Sequence, residues 1–280
     1  MKLSDKVAIV TGASQGIGES IAKRYAKEGA KVAVNYSKSD DKANKVVADI
    51  KAGGGEAKAF KADCSKVKEI EGLVKRVIET YGTVDIVVNN AGVFRTVPVE
   101  ETTEEIWDEQ LDLNLKGAFF LVRSVLPEFR RKGRGKVINI SSIFGTGAGP
   151  NCPAYCASKG GMVNLTKALA VELGRHNINI NSLAPGNIAT PLNAHLRGPG
   201  MEQRGADAEP HANRPRFSRS GGIDRHCCLS RLVGFRRRAR HHRCSRCRMV
   251  GLVKIHCTCP RLMTPLCPPQ QSPSRRLLQV

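Results

Sequence analysis

Residues 6–18 read KVAIVTGASQGIG, and the fold is decided there. Residues 6–10 form a short apolar run that ends at Thr11. After GASQGIG comes an amphipathic segment with Ile21, Ala22, Tyr25 and Ala26 on one face, closing at Gly29. An apolar run, a glycine turn and then helical periodicity read as strand, turn and helix. Gly12, Gly16 and Gly18 make GxxxGxG directly after the strand. Glycines let the backbone turn tightly and approach a phosphate, while the following helix offers unpaired N–H groups and a positive dipole end. The spacing differs from GxGxxG, and a plain strand–helix turn is also rich in glycine.

The same alternation runs on through the chain. Strands are expected at 31–36 (KVAVNY), 56–62, 84–89 (VDIVVN), 135–140 (GKVINI) and 177–183, with helices at 40–51, 66–81, through 131, and one that carries Tyr155. Alternating strands and helices predict an α/β, Rossmann-type, doubly wound parallel sheet, whose ligands bind at the carboxyl ends of the strands. Asn89-Asn90-Ala91-Gly92 follows the fourth strand, where Asn side chains can lock neighbouring loops by hydrogen bonding.

Tyr155 and Lys159, in NCPAYCASK (151–159), lie four residues apart, so on a helix they share a face. A phenol has an ordinary pKa of about 10, and a fixed ammonium beside it favours the phenolate. Such a pair passes protons to or from a substrate oxygen. A bare YxxxK is also common by chance.

The composition breaks near residue 200. Residues 1–200 carry a net charge of +7, and residues 201–280 carry +13, with seven of the ten Cys and seven of the fourteen Pro. The first part reads as a globular, reducing-compartment domain, since Cys64, Cys152 and Cys156 follow no disulfide or metal spacing. Met1 is followed almost at once by strand-like sequence, with no signal peptide, and no run of about 18 apolar residues exists. A cytoplasmic location and no membrane contact are expected.

TGASQGIG, NNAG, Asn114 in LNLKG, Ser141-Ser142, YCASK and PGNIAT fall in one order and spacing. On these six motifs residues 3–200 resemble the short-chain dehydrogenase/reductase family, most closely its bacterial branch of 3-oxoacyl-acyl-carrier-protein reductases and glucose dehydrogenases. The resemblance implies an NAD(P)-dependent enzyme acting on a small carbonyl or alcohol, and a homo-oligomer. It makes Tyr155 the general acid/base, and Lys159 the residue that binds the nicotinamide ribose and lowers the Tyr pKa. Ser142 is chosen over Ser141, being thirteen residues before the Tyr, to polarise the substrate oxygen. Asn114 would hold a water through which protons reach Lys159. Hydride transfer to a carbonyl needs donors aimed at the oxygen and a delivered proton, which Ser142 and Tyr155 supply.

For the cofactor, the resemblance brings Gly12, Ser14, Gln15, Gly16, Ile17 and Gly18 to the phosphates. It also brings Asp63 and Cys64 to the adenine, with Asn90, Ala91 and Gly92 close by. Pro185, Gly186, Ile188 and Thr190 complete the cofactor-binding set. Where NAD enzymes place an acid after the second strand, this chain has Asn35, then Tyr36, Ser37 and Lys38. Without a carboxylate to repel a 2′-phosphate, NADP(H) is preferred and NAD(H) is possible. Gln15, standing where many NADP enzymes of the family carry Arg, argues the other way.

Beyond Gly200 the family would continue with a substrate cover, a helix and an edge strand. MEQRGADAEPHANRPRFSRSGG and onward offers no strand of useful length and no helical stripe. An unselected reading frame over GC-rich DNA yields such composition. Residues 201–280 are therefore expected to be out of frame or largely disordered, leaving the sheet without its last edge strand. The rivals are zinc at Cys244, Cys247, Cys257 and Cys259 near His241, His242 and His256, and phosphate contact through RRRARHHR (236–243). CxC is not a usual half-site and no aromatic residues accompany the arginines, so no metal and no nucleic acid are expected. Three functions are weighed: an oxidoreductase, a dinucleotide-binding but catalytically impaired remnant, and a basic tail-driven binder.

Overall fold

Successive side chains of a strand face opposite sides of a sheet, yet all four residues of Val7–Val10 are buried. Such a strand must be covered on both faces. Val7 and Ile9 join one apolar cluster and Ala8 and Val10 the other. The structure, a computed structural model, describes residues 1–196, 217–219 and 254–256.

Six parallel strands are β1 (Val7–Val10), β2 (Lys31–Tyr36), β3 (Glu56–Lys61), β4 (Ile86–Asn89), β5 (Gly135–Ile140) and β6 (Ile178–Ala184). They lie in the order β3-β2-β1-β4-β5-β6. Helices α1 (Gly16–Lys27) and α2 (Asp40–Ala52) supply Ile21, Tyr25, Val46 and Ile50 to one face. The other face takes Leu73 and Val77 from α3 (Val67–Tyr81). After the short α4 (Glu104–Leu111), that face is completed by α5 (Gly117–Lys132) and α6 (Pro153–Gly174), through Leu121, Phe129 and Leu173. This is the doubly wound parallel sheet that the sequence predicts. From β1 the chain winds outward to β3, then returns to β4 and winds the other way. The carboxyl ends of β1 and β4 therefore meet at the reversal, where such sheets open a crevice.

Three short strands come after β6. β7 (Asn187–Ala189) pairs in parallel with β8 (Phe217–Arg219). β9 (Lys254–His256) pairs antiparallel with β6, Ser182 opposite His256 and Ala184 opposite Lys254. The sequence predicts no strand there and leaves the outer edge of β6 bare. Instead, three residues pair with its last three. Three residues are too few to show a period of two, which is why KIH carries no strand signal. The other expectations for the tail, namely the disorder, the frame change after Gly200, the zinc-type cysteines and the arginine run, concern positions outside the described residues. Among the described residues, no helix is long and apolar enough to cross a membrane.

Candidate active site

The glycine loop closes against the end of β4 through Thr11 and Asn90. Asn90 Nδ2 donates to the carbonyls of Thr11 (2.8 Å) and Gly12 (3.1 Å). Thr11 Oγ1 accepts the N–H groups of Asn90 and Ala91, both at 2.9 Å. The second Asn of NNAG is thus a lock on the loop, as its position at a strand end suggests. Gly12 adopts φ +59°, and a Cβ there would lie 2.9 Å from Ala91 Cα. A Cβ on Gly18 would strike the Gly12 carbonyl and Asn90 Nδ2. A Cβ on Gly16, at φ +62°, would lie 3.5 Å from the Thr190 side chain, which brings the PGNIAT segment to the same place. Gln15 caps α1 with an extended backbone and no side-chain capping bond to the helix, so the first-turn N–H groups keep no intrahelical partner. Ser14 lies in this loop, and Ile17 packs on the core. A bare backbone cradle at a helix N-terminus fits a pyrophosphate.

Asn35 is not the outward-facing selector that the sequence suggests. Its side chain is buried, and Oδ1 accepts from Gly12 N (3.3 Å) and the Cys64 thiol (3.2 Å). Its Nδ2 donates to the carbonyls of Phe60 (3.2 Å) and Ala62 (3.0 Å). Asn35 therefore ties the glycine loop to β2 and β3, and a carboxylate there would face two carbonyls. Cys64 is buried too, its thiol pushed up to about 12 by burial and the nearby Asp63 and Glu69 carboxylates. Asp63 is part-exposed. Burial works against its charge, but the Ser65 N–H and hydroxyl, with Lys66 and Lys38, hold it below the usual range.

The residues just past β2 do turn outward. The Tyr36 hydroxyl donates to Asp40 (2.7 Å), Ser37 and Lys38 are exposed, and Lys42 Nζ donates to Gln15 Oε1 at 2.9 Å. Gln15 thus has an ammonium at its tip. Lys42 gives no signal in the sequence because it meets Gln15 across two elements.

Tyr155 and Lys159 come from the first turns of α6, which starts with Pro153 at a position that needs no N–H. Tyr155 stacks on Phe94 (centroids 4.5 Å apart) and meets Phe144 edge-on (6.4 Å, 90°). The Ser142 side chain lies beside its hydroxyl and acts to lower its pKa. Ser141 turns inward and donates to the Lys159 carbonyl at 3.0 Å, so of the two serines Ser142 faces the phenol. Lys159 Nζ donates to the Ile140 carbonyl (2.9 Å) and sits 5.7 Å from the Tyr155 ring centre.

Asn114 lies in a π-turn, Asp112–Lys116, that joins α4 to α5; such turns recur at functional sites. It is fully buried. Nδ2 donates to Val93 O and Ser158 Oγ, both at 3.0 Å, and Oδ1 accepts Val93 N at 2.8 Å. A Cβ at Gly92 would lie 3.0 Å from Asn114 Oδ1 and 3.6 Å from Lys159 Nζ, so a bare glycine stands between the two. Ser158 closes the set by donating to the Tyr155 carbonyl at 2.8 Å. It sits within YCASK but reads there only as a small helical residue. Ser158 and Thr11 are positioning residues that no local pattern marks.

The electrostatics correct one expectation. Burial pushes the Tyr155 phenol up to about 12, against the lowering effect of Ser142, and the Cys152 and Cys156 thiols add to the rise. Burial alone pushes Lys159 down to about 8. In this structure, then, the ammonium does not lower the phenol's pKa. Lys159 spends its bond on Ile140, and desolvation of each group outweighs their attraction.

Comparisons with known proteins show the family and the fold. The family described as short chain dehydrogenase matches residues 6–199. A 3-oxoacyl-(acyl-carrier-protein) reductase FabG of Staphylococcus epidermidis is 43% identical over 188 residues, covering 67% of this chain and 77% of that protein. The Staphylococcus aureus protein of the same name is 40% identical over 203 residues, covering 72% and 82%. A short chain dehydrogenase from Burkholderia cenocepacia in complex with NADP superposes with TM-score 0.73 at 30% identity, covering 84% of this chain and 93% of that one. A Beutenbergia cavernae protein described as an NAD(P) dependent gluconate 5-dehydrogenase, with NADP at low occupancy, gives TM-score 0.70 at 32% identity, covering 79% and 87%.

Proposed function

The chain belongs to the short chain dehydrogenase family, and on that premise we propose an NADP(H)-dependent oxidoreductase that interconverts a ketone and a secondary alcohol, with Tyr155 as acid and base. The observation that carries this reading is the convergence of Ser142, Tyr155 and Lys159 beside the bare-backbone cradle of Gly12, Gly16 and Gly18. Nicotinamide supplies or takes the hydride when bound. Thr190 stands by Gly16, and Asn90 and Ala91 by Gly12; in this reading Pro185, Gly186, Ile188, Gly92 and Asp63 complete the cofactor site. Ser142 donates to the substrate oxygen as negative charge develops there, and Tyr155 delivers the proton. Lys159 carries the positive charge that the resulting phenolate needs. Asn114 and Ser158 hold the first turn of α6 in place. The names of the relatives make a 3-oxoacyl thioester the first substrate to try.

The test is a pH profile. Tyr155, at about 12, stays protonated through neutrality and remains an acid. Lys159 is charged below about 8 and neutral above it. For ketone reduction, kcat/KM is therefore expected to stay level up to about pH 8 and to fall beyond it. A profile that rises through pH 8 would take Lys159 out of this role.

Preference for NADP(H) rests on Ser37, Lys38 and Lys42 and on the lack of an acid at positions 35–38. Lys42→Ala is expected to weaken NADPH binding by about fivefold, or about 1 kcal/mol, and to leave NADH unchanged in a fluorescence titration. Equal losses for both cofactors would contradict that assignment. A second reading, a dinucleotide binder with impaired turnover, is favoured by one observation: the family match ends at residue 199 of 280. It predicts tight NADPH binding with no reduction of any ketone.

A further inference from the structure

Two thiols flank Tyr155 in space as well as in sequence. Cys152 caps α6 and Cys156 lies one turn on, with their sulfurs 3.7 Å apart. Cys152 is buried and its Sγ–H donates to the Gly149 carbonyl at 3.3 Å; Cys156 is part-exposed. A disulfide needs sulfurs about 2.05 Å apart and Cα atoms about 4.4–6.8 Å apart. Four residues of helix rise about 6 Å, inside that range. Cys152 also stands outside the helix, at φ −145° and ψ 46°, so its side chain can swing without breaking helical geometry at its own position.

We infer that Cys152 and Cys156 form an oxidisable dithiol, a modification site whose disulfide form disables the Tyr155 site. Cys156, the more accessible sulfur, reacts with a hydroperoxide to give a sulfenic acid and an alcohol, or water from hydrogen peroxide. The Cys152 sulfur then attacks the sulfenic sulfur. The S–S bond forms, water leaves with the Cys152 proton, and two electrons have passed from the thiol pair to the peroxide O–O bond. Burial pushes the Cys152 thiol up to about 12, reinforced by its bond to Cys156, which keeps it from being the sulfur the peroxide oxidises; its part in the second step rests on standing 3.7 Å from the Cys156 sulfur.

The consequence reaches Tyr155 through packing. A Cβ on Gly149 would meet the Phe144 ring at 2.8 Å and Cys152 Sγ at 3.3 Å, so thiol, loop and ring are packed in series. Phe144 is the ring that stands edge-on to Tyr155. Drawing the Cys152 sulfur more than an ångström toward Cys156 takes it off Gly149 and moves the wall of the site. A displacement of that size at a reacting group costs about a hundredfold in rate. Bond formation stands by itself, whereas the loss of turnover rests on the function proposed above.

The experiment uses the full chain, reduced, treated with hydrogen peroxide, alkylated and digested with trypsin. Residues 137–159 then form one peptide containing Cys152, Cys156 and no other cysteine. That peptide is expected to be unalkylated and lighter by two hydrogens. Ketone reduction should fall by about a hundredfold and return with dithiothreitol, while NADPH binding persists. Cys156→Ser should keep its turnover through the peroxide treatment. Alkylation of both cysteines after peroxide, or a bond from Cys152 to a different peptide, overturns the site. A disulfide that leaves turnover intact overturns the switch. A reduced protein with no turnover fails the proposed function, and the peptide mass still decides the thiol pair.

Discussion

Tyr155→Phe is expected to lower ketone reduction by about a thousandfold and to leave NADPH affinity within about threefold of wild type. The substitution removes one oxygen and keeps the ring. The ring's packing against Phe94 at 4.5 Å and Phe144 at 6.4 Å therefore survives, and what is lost is the hydroxyl's interaction with Ser142, at most about 1 kcal/mol of stability. Positioned proton transfer contributes about 10²–10⁴-fold, and no other described phenol or carboxyl bonds Ser142. Steady-state rates beside a fluorescence titration of NADPH separate the two quantities. Turnover within tenfold of wild type would remove Tyr155 as the proton donor.

Gly18→Ala is expected to weaken NADPH binding by between about fivefold and a hundredfold. The new Cβ would meet the Gly12 carbonyl and Asn90 Nδ2. Neither can turn away, because Asn90 Nδ2 is committed to Thr11 O and Gly12 O. The loop itself must then move, at a cost of about 1–3 kcal/mol. Affinity lost without loss of thermal stability would place the cost in the cradle; unchanged affinity would mean that the cofactor does not approach this backbone.

Much of this architecture is readable in the residues because each signal is local. Apolar runs such as VAIV and IVVN, closed by glycine or asparagine, mark buried strands. Tyr155 and Lys159 are four apart, and the two serines before them are narrowed by a count. The errors come where the answer lies across elements. At the end of β2 the sequence shows Asn35 and Tyr36 side by side, and it does not tell that both are buried, with the Asn35 amide on the glycine loop and the Tyr36 ring in the apolar core. Lys42 reaches Gln15 from another helix. Ser158 gains its meaning only once the π-turn carries Asn114 toward α6. The sign of the Tyr155 shift depends on burial, and periodicity does not measure how completely a half-exposed helix start is covered. The pairing of Lys254–His256 with β6 joins positions 70 to 74 residues apart, beyond any local pattern.

The central claim is that the described core holds one working hydride-transfer site. Deuterium-labelled NADPH, carrying the label at the transferable position of the nicotinamide, tests it most directly. The full chain is incubated with a panel of ketones that includes a 3-oxoacyl thioester, and the alcohols are read by mass spectrometry. Deuterium is expected on the new carbinol carbon with wild-type protein, and about a thousandfold less of it with Tyr155→Phe. Tight NADPH binding with no deuterium in any alcohol would contradict the claim and leave a dinucleotide binder in its place.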